Sequence, residues 1–166
     1  MRNRILTTLI TIFFSLTAIA QTGDELLDNF LKRAKGHRIS AEYEYVIEGV
    51  TDVTVGGTVL LQDNCFRMEG AGLMIFCDSE NIWTLDLDGK EAYIEKAGPF
   101  DYMKYASGLT MAENGEISGT YGEPISGAII PFVIRNIKVL PWSGDRSAFT
   151  PSSEVLNGDW IITDLR

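Results

Sequence analysis

Few residues in this chain have the types and spacing that chemistry requires. His37 is the single histidine. It stands beside Gly36 with no cysteine or carboxylate at ligand spacing, so a catalytic triad or a zinc site would rest on it alone. It reads as a loop residue. Asp86, Asp88, Gly89 and Glu91 share some of the composition of a calcium loop. That motif needs ligands at more positions and a bidentate glutamate further on, and Asp88-Gly89 is also a preferred type I′ hairpin pair. The chain has no glycine-rich phosphate cradle, nucleophile elbow or Ser-x-x-Lys motif. These residues argue against an enzyme and call for no metal or other cofactor. Cys65 and Cys77 carry more information, but what they can form depends on the strands that position them.

Those strands follow from a period of two between residues 41 and 96. The segments Ala41–Gly49, Val53–Gln62, Cys65–Glu69, Leu73–Cys77, Asn81–Leu87 and Lys90–Lys96 alternate apolar and polar residues and are joined by short turns. A hairpin at Asp88-Gly89 sets Leu85 opposite Ala92 and Trp83 opposite Ile94. A turn at Ser79-Glu80 sets Phe76 opposite Trp83 and Met74 opposite Leu85. A three-residue turn at Gly70-Ala71-Gly72 sets Met68 opposite Met74 and Phe66 opposite Phe76. Asp63-Asn64 sets Leu61 opposite Phe66 and Val59 opposite Met68. A loop at 50–52 sets Tyr43 opposite Val59 and Tyr45 opposite Gly57.

In this register the large apolar residues share one face, and a slip of one residue would flip a strand. Tyr43, Tyr45, Val59, Leu61, Phe66, Met68, Met74, Phe76, Trp83 and Leu85 form that face and are the candidates for a hydrophobic cavity, joined by Met103. The opposite face carries Glu42, Glu44, Glu48, Thr54, Thr58, Arg67, Glu69, Glu91 and Glu95, with Leu73, Ile75 and Ile82 as exceptions. Cys65 then faces Cys77 across one hairpin, and an oxidising compartment lets such a pair bridge. A structural cross-strand disulfide is the expectation.

A helix precedes the strands. Thr22 and Glu25 fit a capping box, and Leu26, Leu27, Phe30, Leu31 and Ala34 recur at helical spacing. Lys32, Arg33 and Lys35 fall in its last turn and Gly36 can end it. After Pro99, the residues Phe100, Met103, Ala106 and Leu109 predict a short second helix or irregular cover. Ile117–Tyr121, Gly127–Ile134, Ile137–Leu140 and Trp160–Thr163 predict further strands, with Pro131 requiring an edge or a bulge. The fold class is mainly β (α+β): a long twisted antiparallel sheet forming an incomplete barrel, with the two helices covering its concave apolar face.

The first residues set the compartment. Arg2 and Arg4 precede an uncharged, largely apolar run, Ile5 to Leu16, and Ala18-Ile19-Ala20 has the small-x-small pattern of a signal-peptidase site. Residues 1–20 are read as a signal peptide cleaved between Ala20 and Gln21, leaving one domain over residues 21–166. No cysteine follows the cleavage site, so a lipid anchor there is not expected. Loss of two arginines moves the net charge from −9 to −11. Such acidity argues against nucleic acid and against simple attachment to anionic lipid.

The stretch Gly57-Thr-Val-Leu-Leu through Cys65-Phe-Arg-Met-Glu, then Ile75-Phe-Cys-Asp-Ser-Glu-Asn-Ile-Trp-Thr-Leu, resembles the outer-membrane lipoprotein carrier (LolA-like) family, particularly its short Bacteroidetes-type members. Phe149-Thr-Pro and Ile162-Thr-Asp-Leu-Arg166 are similar to the family's closing segment. The resemblance implies an incomplete barrel lidded by helices, a non-catalytic periplasmic carrier of lipoprotein or other acylated lipid ligands, and transport partners at the inner and outer membranes. A monomer is expected. Two positions depart from the family. Asp63-Asn64 stands where better-studied carriers have a basic residue and proline, and Ser79-Glu80-Asn81 replaces the usual Asp-Gly-Lys turn. The alternative reading is an envelope interaction or sensor module with the same fold and a filled cavity.

Overall fold

The computed structural model describes residues 24–47, 52–98, 106–122 and 127–166. The expected cleavage site at Ala20 and Gln21, together with Thr22, Phe100 and Met103, lies outside the described residues. Helix α1 spans Glu25–Ala34. Its N-cap is Asp24, whose carboxylate accepts from the Leu27 amide at 2.9 Å, so Glu25 is the first helical residue and not the third position that the expected Thr22–Glu25 capping box requires. A side-chain oxygen at the N-cap satisfies an otherwise orphaned N–H. Leu27, Phe30 and Leu31 are buried and Ala34 is half-buried, as the helical spacing predicts, whereas Leu26 of the same predicted stripe is 49% exposed. The helix ends at Lys35, and Gly36 turns the chain away with φ 73°, a conformation that disfavours residues bearing a Cβ.

Ten strands follow in one sheet: β1 Arg38–Ile47, β2 Val53–Gln62, β3 Cys65–Gly70, β4 Leu73–Cys77, β5 Asn81–Asp86, β6 Glu91–Lys96, β7 Ala106–Met111, β8 Ile117–Gly122, β9 Ile129–Leu140 and β10 Ile161–Asp164. A short helix α2, Ser153–Asn157, precedes the last strand. The sheet order is β10-β6-β5-β4-β3-β2-β1-β9-β8-β7. The two end strands do not pair, so the sheet is an open, incomplete barrel, mainly β as expected. Every neighbouring pair is antiparallel except β10 with β6, which is parallel. Ala106 and Leu109, expected in a second helix, lie in β7 instead. The predicted strands Gly127–Ile134 and Ile137–Leu140 are one strand, β9. Its bulge falls near Asn136, which has φ 52°, opposite a register shift between Ser40 and Glu42. Pro131 pairs with Thr120 on the β8 side, just beyond the last β1–β9 pair at Phe132.

The expected registers hold in three hairpins. Leu61 lies opposite Phe66, Phe76 opposite Trp83, and Leu85 opposite Ala92. The 87–90 turn nonetheless differs from a two-residue Asp88-Gly89 loop. Lys90 adopts the left-handed conformation, with φ 50°, and the buried Asp86 carboxylate accepts from the amides of Asp88 and Gly89. The β1–β2 register is displaced by two residues, with Tyr43 opposite Gly57 and Tyr45 opposite Val55. An even displacement keeps every side chain on its face.

The β3–β4 hairpin is displaced by one, which changes the molecule. Its turn is Ala71-Gly72, with φ 52° and 74°, the two positive values of a type I′ turn. Gly70 therefore stays in the strand and pairs with Leu73. Met68 lies opposite Ile75 and Phe66 opposite Cys77, not opposite Met74 and Phe76. Gly70 is needed there because a Cβ would come within 2.6 Å of the Tyr43 hydroxyl and 2.7 Å of the Gly56 carbonyl. At its neighbour Gly57, a Cβ would collide with the Glu69 carbonyl. Two glycines thus make the bed on which Tyr43 lies.

The slip splits the expected single apolar face. One face carries Tyr43, Tyr45, Val59, Leu61, Phe66 and Met68 with Leu73, Ile75 and Cys77, packed under α1 and continuous with Ile117, Tyr121, Phe132 and Ile134. The other carries Phe76, Trp83, Leu85, Ala92 and Ile94, with Met74, Val155 and Trp160 against them. Leu73, Ile75 and Ile82, the exceptions on the supposedly wet side, belong to the main core.

Candidate functional site: a cleft at the end of the first helix

Most of the expected cavity residues are closed core. Tyr43, Tyr45, Val59, Phe66 and Met68 are buried on the main face, while Phe76, Trp83 and Leu85 are buried on the opposite one. Tyr43 and Tyr45 stack with ring centroids 6.3 Å apart and planes inclined by 13°. Burial pushes both phenol hydroxyls above their ordinary range. They are neutral packing residues.

Leu61 is the exception, because it reaches a hollow between α1 and the sheet. This cleft has a volume of about 440 Å³ and is floored by Phe30, Leu31, Ala34, Ile39 and Leu61. Gln62, Asp63, Asn64, Lys35, Gly36 and His37 form its rim. The volume falls in the range of small-molecule sites, which combine apolar walls with a few polar groups. The cleft arises where the chain leaves α1: the Lys35 amide donates to the Leu31 carbonyl at 3.1 Å and the His37 amide to Ala34 at 3.0 Å. Gly36 then lets β1 start directly beneath the helix, with no atom near the space a Cβ would occupy.

A second, more open hollow of about 800 Å³ lies on the other flank of the same helix end. It shares Phe30, Lys35 and His37 with the first and adds Lys32, Arg33, Met111, Gly115, Ile137 and Val139. Helix α1 therefore ends between two hollows whose floors are apolar. At its other end Asp24 fastens it to the sheet, the second carboxylate oxygen accepting from the Met111 amide at 2.9 Å. These two backbone bonds hold the Asp24 carboxyl below the usual carboxylate range.

The far side of the rim is held by the segment that follows β9. The buried Gln62 amide donates to the Ser143 carbonyl at 2.7 Å and accepts from the Ser143 amide at 3.2 Å. Its oxygen also accepts from Arg38 Nε at 2.9 Å. Arg38 in turn donates to the Asp145 carbonyl and lies over the Phe149 ring, 5.3 Å from its centre. Asp63, on the cleft rim, accepts from the Trp142 indole at 3.0 Å.

The two cysteines are free. Cys65 pairs with Gln62 while Cys77 pairs with Phe66, so strand alternation directs their side chains to opposite faces. The same one-residue slip that splits the apolar face removes the expected disulfide geometry. Burial pushes the Cys77 thiol up to about 11 and raises that of Cys65, which disfavours the reactive thiolate in both. His37 is exposed in the turn, its Nδ1 3.1 Å from the Lys35 carbonyl. Asp86 serves the turn amides described above. Among the described residues no three His, Cys, Asp or Glu side chains gather as a metal site would require.

The cleft residues Phe30, Leu31, Ala34 and Ile39 are absent from the sequence-derived cavity set. Their signal was the helix's apolar stripe itself, which predicts contact with the sheet but not an unfilled end. No match to a protein-family model or to a curated protein was found. Among solved structures, an uncharacterized conserved protein from Thermus thermophilus is similar, with a TM-score of 0.51 at 9% identity. The likeness covers 87% of this chain and 99% of that one, and supports the fold alone.

Proposed function

We propose that this protein is a non-catalytic carrier or binder of acyl-chain ligands in the periplasm, reached through a cleaved signal peptide. The observation that carries the reading is the cleft of about 440 Å³ between α1 and the sheet, floored by five apolar side chains. Hiding methylene groups from water contributes about 0.8 kcal/mol each, so a chain of a dozen or more carbons needs little else for affinity. An amphipathic helix resting on an open sheet is a natural lid for such a chain. The resemblance of the strand motifs to the lipoprotein carrier family makes lipoprotein delivery to the outer membrane the leading role, with membrane transport partners at either end. Native mass spectrometry of the protein purified from its own cell envelope tests this. Co-purifying acyl-chain mass is the expected result, and its absence together with no uptake of a fluorescent fatty acid would overturn the reading.

One observation favours a second reading. Tyr43, Tyr45, Phe66 and Met68 fill the sheet's concave face, as an envelope interaction or sensor module with a filled cavity would require. In that case the native mass would equal the chain mass, and a protein partner would be recovered by cross-linking in the envelope.

A further inference from the structure

We propose that the ligand is a single-chain amphiphile with an anionic head, a carboxylate or a phosphate, held by Lys32, Arg33 and Lys35 while its tail lies against α1 and the sheet. This rests on the acyl-chain reading above, not on lipoprotein delivery, and names the ligand class.

The argument begins with charge. The chain carries 23 acidic and 14 basic residues, two of the latter being Arg2 and Arg4. Yet the larger hollow is lined by Lys32, Arg33, Lys35 and His37 and by no carboxylate. The three cationic side chains are exposed, and none takes part in an ion pair among the described residues. Among the arginines elsewhere, Arg67 is matched by Glu69, Arg135 by Glu44 and Glu116, and Arg166 by Asp164, while Arg146 is exposed with no ion pair among the described residues.

Basic residues in a last helical turn also complement the helix dipole. That dipole amounts to about half a negative charge, against three full positive ones here. A net cationic rim therefore remains. The floor beside it is apolar: Phe30 is buried, Ile137 is half-buried, and Val139 is 42% exposed near the end of β9. Cations at the edge of an apolar trough match an anionic head on a hydrocarbon tail. The two hollows share Phe30, Lys35 and His37 in their linings, so the basic helix end stands beside both apolar floors.

The test uses the purified protein and three fluorescent probes with the same sixteen-carbon tail: a carboxylic acid, a monophosphate and the neutral alcohol. Affinities are read at low and high salt for the parent and for the K32E/R33E/K35E variant. A K90E/K96E/K138E variant, with the same three charge reversals, controls for net charge, and circular dichroism shows whether each variant is folded. Tighter binding of the charged probes than of the alcohol is expected, by about tenfold or more. That difference should vanish on charge reversal at the helix end and shrink in high salt, but survive in the control. The better of the two charged heads identifies carboxylate or phosphate as the natural one. Equal binding of all three probes, unmoved by salt or charge reversal, would overturn this proposal and leave the acyl-chain reading standing. Failure of every probe, the alcohol included, would overturn both.

Discussion

Gln62 ties two distant parts of the chain together through one buried amide. It is 2% exposed, and its three hydrogen bonds reach Ser143 twice and Arg38 once. Gln62→Leu keeps much of the volume but leaves both Ser143 backbone groups and Arg38 Nε without their partner. Unpaired buried polar groups are destabilising by about 1–3 kcal/mol, and that loss is expected in urea denaturation. The freed segment after β9 should also become the first site of proteolytic cleavage. The cysteines permit an equally direct check. Unfolded without reductant, the protein should take up two equivalents of a thiol alkylator, whereas the folded protein at pH 8 should react slowly. A raised thiol pKa means the folded state favours the neutral form. Its stabilisation is complete below the ordinary value of 9.0 and is lost as pH rises towards about 11. Failure to label the unfolded chain would mean a bridge and contradict the register.

At the scale of elements, Asp24 does two tasks with one carboxylate, capping α1 and fastening it to β7. Its pKa is lowered, so the stabilisation is present above the model-compound value of 3.8 and lost as pH falls through the lower folded value. Hydrogen exchange should accordingly show Glu25–Ala34 and the Met111 amide opening together in acid. Asp24→Ala should produce the same pattern at neutral pH; unchanged exchange at Met111 would separate the two tasks. The helix's C-terminal end and most strand limits were legible because period and turn chemistry agree in them, Val53–Gln62 and Leu73–Cys77 to the residue. The glycine turn was not legible. In Gly70-Ala71-Gly72 local chemistry allows either glycine to leave the strand, and the choice is made by Tyr43, distant in sequence, which requires a bare Gly70 beneath its ring. Likewise, Ala106 and Leu109 have helical spacing, yet β7 forms because β8 offers it an edge.

For the whole molecule, that single displacement converts a one-sided sheet into one with apolar clusters on both faces. Trp83, taken from the sequence as a cavity residue, is 8% exposed in the second cluster beneath Val155 and Trp160. The cleft instead lies at the other end of the meander, where a filled core and an unfilled helix end share the same apolar pattern. A sequence shows which residues avoid water, but not which of them lack a neighbour. The tryptophans can distinguish the two places. Trp142 is 52% exposed and donates to Asp63 on the cleft rim, so a ligand entering beside Asp63 should alter its emission. Trp83, on the opposite face of the sheet, should be silent. On titration with a non-fluorescent fatty acid, Trp83→Phe should therefore retain the spectral change and Trp142→Phe should abolish it. The reverse result would move the ligand to the second apolar face, under α2, and away from the helix that the fold sets over its core.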